Sequence, residues 1–101
     1  MTRAEISVEN YLKRVVKLAG GRCIKLPAIW YAGIPDRLVL LPGGRVWFIE
    51  LKRAKAQTTR HVKPRQSAWA KFLQDNGFNY ARLVGIEEVK GFVNEHVESP
   101  V

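Results

Sequence analysis

The 101-residue sequence has one cysteine, Cys23, so no disulfide can close within the chain and no cysteine-cluster zinc site can be built. A lone thiol suits a reducing cytoplasm, which is the compartment expected here. Long apolar runs are also missing: nothing approaches the ~20 residues that cross a bilayer, and the start, MTRAEISVENY, lacks the apolar core of a signal peptide. A membrane role is therefore not expected. Acidic residues are few, nine against seventeen Lys and Arg, giving a formal charge of +8. Such an excess serves a polyanion, with nucleic acid ahead of an anionic membrane surface, although basic charge also serves solubility. There is no internal repeat, low-complexity tract or linker. With 47% hydrophobic and 26% charged residues, the composition is that of one ordinary domain with a single core, residues 1–101, its tail at 97–101 frayed.

What is present falls into alternating periods. Val8, Tyr11, Leu12, Val15, Val16 and Ala19 recur at helical spacing from about Thr2, and Gly20-Gly21 stops them. A short strand is expected from Cys23 to about Ile29. The loop Trp30 to Pro35 follows, then a strand Arg37 to Leu41, a Pro42-Gly43-Gly44 turn and a strand ending at Lys52. Residues 53–65 read as a basic loop. A helix runs from about Pro64 through Trp69, Phe72 and Leu73 to Asn76-Gly77; then come a strand, Tyr80 to Val84, and a helix, Ile86 to about His96. The order α-β-β-β-α-β-α predicts an α/β fold with a mixed central sheet flanked by helices.

The segment Val46-Trp47-Phe48-Ile49-Glu50-Leu51-Lys52 reads as a buried strand that carries two charges in its last three positions. Burying an ionised group costs several kcal/mol, on the order of 3 or more, unless it is paired. A three-residue Pro42-Gly43-Gly44 loop pairs Leu41 with Arg45, Val39 with Trp47 and Asp36 with Glu50. Asp36, Leu38, Leu40, Val46, Phe48, Glu50 and Lys52 then share one face. A two-residue Gly43-Gly44 turn would separate the two acids unless a bulge restored the register. Two facing carboxylates tolerate each other if one is protonated or a cation lies between them, and a hard divalent ion such as magnesium suits so open a site. Lys52 would stand beside it, to orient or deprotonate a water or to stabilise charge on a phosphate. The plainer alternative is a surface ion network of Asp36 and Glu50 with Lys52 and Arg37.

Gly33-Ile34-Pro35-Asp36-Arg37, a strand, a glycine turn and Phe48-Ile49-Glu50-Leu51-Lys52 resemble the PD-(D/E)-x-K nuclease signature, and in detail its VRR-NUC branch. Gln66 with Trp69, Leu73 and Gly77 resembles the helix that follows in that family, and Glu5 to Leu12 its first helix. The resemblance spans roughly residues 5 to 90. It implies a restriction-endonuclease-like core and a magnesium or manganese site built by Asp36, Glu50 and the carbonyl of Leu51. Lys52 would stand beside the water, Glu9 would contribute from the first helix, and Gln66 would support the site or the scissile phosphate. It further implies a DNA endonuclease acting on branched or otherwise structured DNA such as Holliday junctions or flaps, a homodimer, and work in a bacterial or phage-infected host cell. The loop after Lys52 is longer and more basic than the family's usual one.

Spacing alone leaves alternatives open. Glu9 precedes Leu12 and Val16 by three and seven, so it borders the buried stripe, whereas Glu5 lies nearer the fraying end; both equally suit an acidic first turn complementing the helix dipole. Gln66 points inward by the same count, and the resemblance aside its simpler reading is a core-edge amide bonded to backbone. Arg53, Lys55, Arg60, Lys63 and Arg65 are candidates for gripping a nucleic-acid backbone. Trp47 reads as core, Trp30 and Tyr31 by default as packing beneath the first helix, with stacking on bases or sealing a subunit contact as alternatives, and His61 and His96 carry no assigned role. The rival functions are a non-catalytic nucleic-acid-binding module and an interaction domain for an acidic protein.

Overall fold

In a computed structural model, residues 3–27, 29, 31–53 and 64–98 are described, with the side chains of residues 3–7 excepted. The chain forms α1 (Arg3–Leu18), β1 (Arg22–Lys25), β2 (Arg37–Leu41), β3 (Arg45–Lys52), α2 (Pro64–Asp75), β4 (Tyr80–Val84) and α3 (Gly85–Phe92), which runs into a π-helical turn, Val93–Val97. The four strands make one sheet in the order β1-β2-β3-β4. The first three are antiparallel neighbours, and β4 lies parallel to β3 through the α2 crossover. No described helix is long and apolar enough to cross a membrane.

Helix α1 buries Val8, Leu12 and Val16, a single stripe at spacing four, against the sheet. It closes where the glycine pair predicted. Gly20 takes φ +88°, the left-handed conformation glycine adopts without steric penalty, so that its N–H reaches Lys17 O at 3.0 Å and Gly21 N–H reaches Val16 O at 2.9 Å. The same pair of bonds ends α2, from Gly77 N–H to Gln74 O and from Phe78 N–H to Leu73 O.

The hairpin adopts the three-residue loop: Leu41 faces Arg45, Val39 faces Trp47 and Arg37 faces Ile49. Continuing that register by one residue sets Asp36 opposite Glu50. Strand β1 is shorter than expected. Leu26 N–H still bonds Asp36 O at 2.9 Å, beyond which no described bond continues the ladder, and Ile29 is exposed.

The sheet's two faces are covered unequally. On one, Val39, Leu41, Ile49 and Leu83 join the α1 stripe, Val89, Phe92, Val93 and Val97 in one core. Trp47 packs there as expected, edge-on to Phe92 at 5.0 Å between ring centroids and beside the His96 ring at 4.5 Å. On the other face α2 contributes the buried Leu73 and an aromatic row in which Phe48 meets Phe78, and Phe78 meets Phe72. Of the tail expected to fray, Val97 is buried and Glu98 N–H closes on Val93 O at 2.8 Å, while residues 99–101 lie outside the described residues.

Candidate active site

The second face, beneath the start of α2, is where the charged end of the hairpin lies. Glu50 is only 6% exposed. Its Oε2 meets two donors, Lys52 Nζ at 3.2 Å from the same strand and Gln66 Nε2 at 3.3 Å from the first turn of α2. Strand alternation puts Lys52 on the face of Glu50, and the inward heptad position of Gln66 brings the amide down onto it.

Asp36 stands just before β2, at the point where that strand no longer supplies a partner for β3. Its carboxylate takes over that role, accepting the Leu51 N–H at 3.2 Å on Oδ2 and 3.4 Å on Oδ1. Because the N–H and C=O of one strand residue point the same way, the Leu51 carbonyl also faces the Asp36 side. Burial pushes the Asp36 carboxyl up from its ordinary 3.8 to about 7, with the charge of Glu50 adding to the rise; the Leu51 N–H, Lys52 and Lys25 pull the other way.

Asp36 and Glu50 line one cavity of about 670 Å³, bounded by Ala32, Gly33 and Ile34 on one side and Pro64, Arg65 and Gln66 on the other. Gly33 explains why this loop and helix can meet. A Cβ there would lie 2.6 Å from Arg65 C and Cβ, and its φ is +84°. Only glycine lets the loop before Pro35 press on the first turn that delivers Gln66.

A second cavity, of about 300 Å³, lies on the far side of Gln66 and includes Glu50, Tyr80 and Arg82. Burial and then the Glu50 charge raise the Tyr80 hydroxyl's pKa. Tyr80 and Arg82 were missed in the sequence, where only the parallel register of β4, Phe48 with Tyr80 and Glu50 with Arg82, would have pointed to them.

Glu9 is held elsewhere. Its carboxylate is ion-paired to Arg37, which is 5% exposed and turned to the α1 side with Val39 and Leu41. Glu9 lines a separate cavity of about 220 Å³ with Lys13, Cys23, Lys25 and Arg37. It is linked to Asp36 through Arg37, whose Nη1 donates to the Asp36 carbonyl at 3.1 Å. This corrects the plainer alternative, since Arg37 gives its charge to Glu9 and not to the Asp36 and Glu50 carboxylates. Tyr31 also differs from expectation, packing edge-on to Trp69 of α2 at 6.1 Å, not under α1. Arg53 and Arg65 flank the basic loop; Lys55, Arg60, Lys63, His61 and Trp30, with the side chain of Glu5, lie outside the described residues.

Among the described residues no group of three or more His, Cys, Asp and Glu side chains converges as a metal cage. The donors that do meet are two carboxylates with the Leu51 carbonyl beside them, an all-oxygen set. Oxygen donors in small number fit a hard cation that keeps its waters, magnesium or manganese, and do not fit a thiolate- or imidazole-bound metal.

No protein-family model matches the sequence. A solved structure described as "VRR_NUC domain" superposes with a TM-score of 0.78 at 28% identity, covering 94% of this chain and 99% of that one. A second, "VRR_NUC domain protein", gives 0.64 at 18% identity, covering 97% and 91%, and speaks for the fold alone. Among curated proteins, "Putative nuclease p44" of Acyrthosiphon pisum secondary endosymbiont phage 1 is 42% identical over 48 residues, 48% of this chain and 52% of that protein. The match thus spans about half the length of the phage protein. The chain has the VRR_NUC fold, as its Gly-x-Pro-Asp and Glu-x-Lys segments implied.

Proposed function

We propose that this VRR_NUC-fold chain is a nuclease that hydrolyses phosphodiester bonds of DNA with the help of magnesium or manganese. The observation that carries the reading is the meeting of Asp36 and Glu50 in one cavity, with Lys52 and Gln66 sharing an oxygen of Glu50. Asp36, Glu50 and the Leu51 carbonyl would hold the ion. When bound, it would supply charge to polarise a phosphate oxygen and lower the pKa of a water.

The chain's own groups supply the rest. Ionised Asp36 and Glu50 bind and orient; Asp36 must lose the proton that burial favours, so it is competent above about pH 7 or when a cation displaces that proton. The Lys52 ammonium, beside Glu50, is suited to stabilising charge that builds on a phosphate oxygen and to orienting a water. Gln66 fixes the Glu50 carboxylate, leaving it little freedom to turn away. Arg65 on the cavity rim and Arg53 at the end of β3, with the basic residues between them, suit gripping the backbone without reading sequence. Glu9 acts in this reading through Arg37.

Selectivity for branched or flapped DNA, and pairing of two subunits around a two-fold axis to address both strands, belong to the same proposal. It is tested with wild type, Asp36→Asn and Lys52→Ala on linear, flapped and four-way DNA, with manganese, magnesium or chelator. Cleavage by wild type alone, only with metal, is expected. Cleavage that survives chelator or Asp36→Asn removes the mechanism, and binding without cleavage makes the chain a binding module.

A further inference from the structure

Away from the acids, a groove of about 1080 Å³ lies between α1, the start of β1 and α3. Its described lining holds Lys13, Arg14, Lys17, Arg22 and Lys90 and no carboxylate. The groove shares Asn10, Lys13 and Cys23 with the small cavity that Lys25 and Arg37 also line. Arg37 in turn bonds the Asp36 carbonyl, Lys25 is the cross-strand partner of Arg37, and the next residue, Leu26, donates its N–H to Asp36 O. Positive charge therefore runs without a break in lining from α3 along the sheet's outer strand to the end that carries the acids. In the described lining the only acid is Glu9, already engaged by Arg37; outside it, the exposed Glu87 lies 3.9 Å from Lys90 Nζ, a weak surface pair.

We propose that this track, Lys90, Lys17, Arg14, Arg22, Lys13 and Lys25, is a second nucleic-acid contact, which carries the phosphate backbone of the DNA arm adjoining the site of cleavage. The ligand class rests on the nuclease reading; the surface does not. Asn10 to Lys17 rises about 10 Å along α1, and Arg22 to Lys25 advances about 10 Å along β1. That length matches about three backbone steps of B-DNA at ~3.4 Å each. Long, exposed Lys and Arg side chains at that spacing reach successive phosphates, and a charge-only contact reads shape and not sequence. Neither Arg53 nor Arg65 is in its lining, so it is a contact additional to those two arginines.

The test measures DNA binding in chelator, so that no strand is cut, across a salt series. Lys13→Gln, Lys17→Gln and Lys90→Gln are combined, each an exposed side chain in an element whose core residues are untouched. Lys71→Gln, exposed on α2, is compared with Lys17→Gln at equal net charge. The triple variant is expected to melt like wild type, to bind at least about tenfold more weakly at 0.1 M salt, and to flatten the slope of log affinity against log salt by about 2.7. Lys17→Gln should weaken binding more than Lys71→Gln. Unchanged affinity and slope in the triple variant, or equal loss from Lys71→Gln and Lys17→Gln, overturns the track. A wild type that binds and depends on the track yet never cuts with metal overturns the nuclease reading and leaves the track standing.

Discussion

Arg37 lies buried beneath α1 with its guanidinium against the Glu9 carboxylate. The pair fastens the first helix to β2 one residue away from Asp36, and burial lowers the Arg37 pKa. Removing one partner of a buried pair strands the other charge, which costs about 3–5 kcal/mol. Glu9→Ala is therefore expected to lower stability by about 3 kcal/mol in denaturant unfolding, allowing for the partial exposure of Glu9. Glu9→Leu combined with Arg37→Met should recover most of that loss. If Glu9→Ala unfolds like wild type but loses metal affinity, Glu9 acts on the ion directly and the positioning role is wrong.

A proton on Asp36 is favoured by the metal-free fold. Its pKa rises from 3.8 to about 7, so the stability it contributes is fully present below about pH 4 and is lost as pH climbs to about 7. Metal-free protein should lose on the order of 2 kcal/mol between pH 5 and 8 relative to Asp36→Asn, seen as several degrees in Tm. A divalent cation competes with that proton. Manganese at about a hundred times its Kd should add about 2.7 kcal/mol at pH 8 and clearly less at pH 5, with no gain in Asp36→Asn. Parallel pH curves for the two proteins would show that the acids are not coupled in this way.

The register of the hairpin was not settled by the sequence, because Leu38–Leu41 and Val46–Ile49 are apolar on both faces and two turns fit Pro42-Gly43-Gly44; the pairing of Leu41 with Arg45 selects the three-residue loop. The meeting of Gln66 with Glu50 was legible only through the family resemblance, since helical spacing says which way an amide points and not what it finds. Glu9 shows the same limit. Periodicity placed it on the border of the α1 stripe, but its partner is a residue of β2 whose inward direction followed from alternation, and an inward-facing arginine was a signal for a nearby carboxylate. Tyr80 and Arg82 depend on the parallel register across the crossover, which no local pattern encodes.

Gly33 has no room for a side chain against Arg65. Gly33→Ala would combine an unfavourable positive φ with a clash against backbone, so either the loop or the first turn of α2 must move. The expected loss is about 2 kcal/mol or more in stability. Because that turn carries Gln66, activity should fall further than instability explains when measured well below Tm. A fully active, wild-type-stable Gly33→Ala protein would mean that the loop and α2 are not in contact.

Lys52 and Gln66 share one oxygen of Glu50, yet the two should separate in kinetics. Lys52 brings a full charge, and removing a charged donor aimed at a transition state lowers kcat by about 10²–10³-fold. Gln66 is a neutral donor that holds Glu50, so Gln66→Ala should cost about tenfold, consistent with one hydrogen bond of about 1 kcal/mol to a charged partner plus some loss of positioning. Single-turnover cleavage at saturating DNA reads both without product release. Gln66→Glu sets a second carboxylate against Glu50 and should abolish cleavage at low metal while high manganese restores part of it, because the ion offsets the added charge. If Lys52→Ala leaves the single-turnover rate unchanged, its ammonium serves only to neutralise Glu50, and the water or phosphate must be handled by other groups.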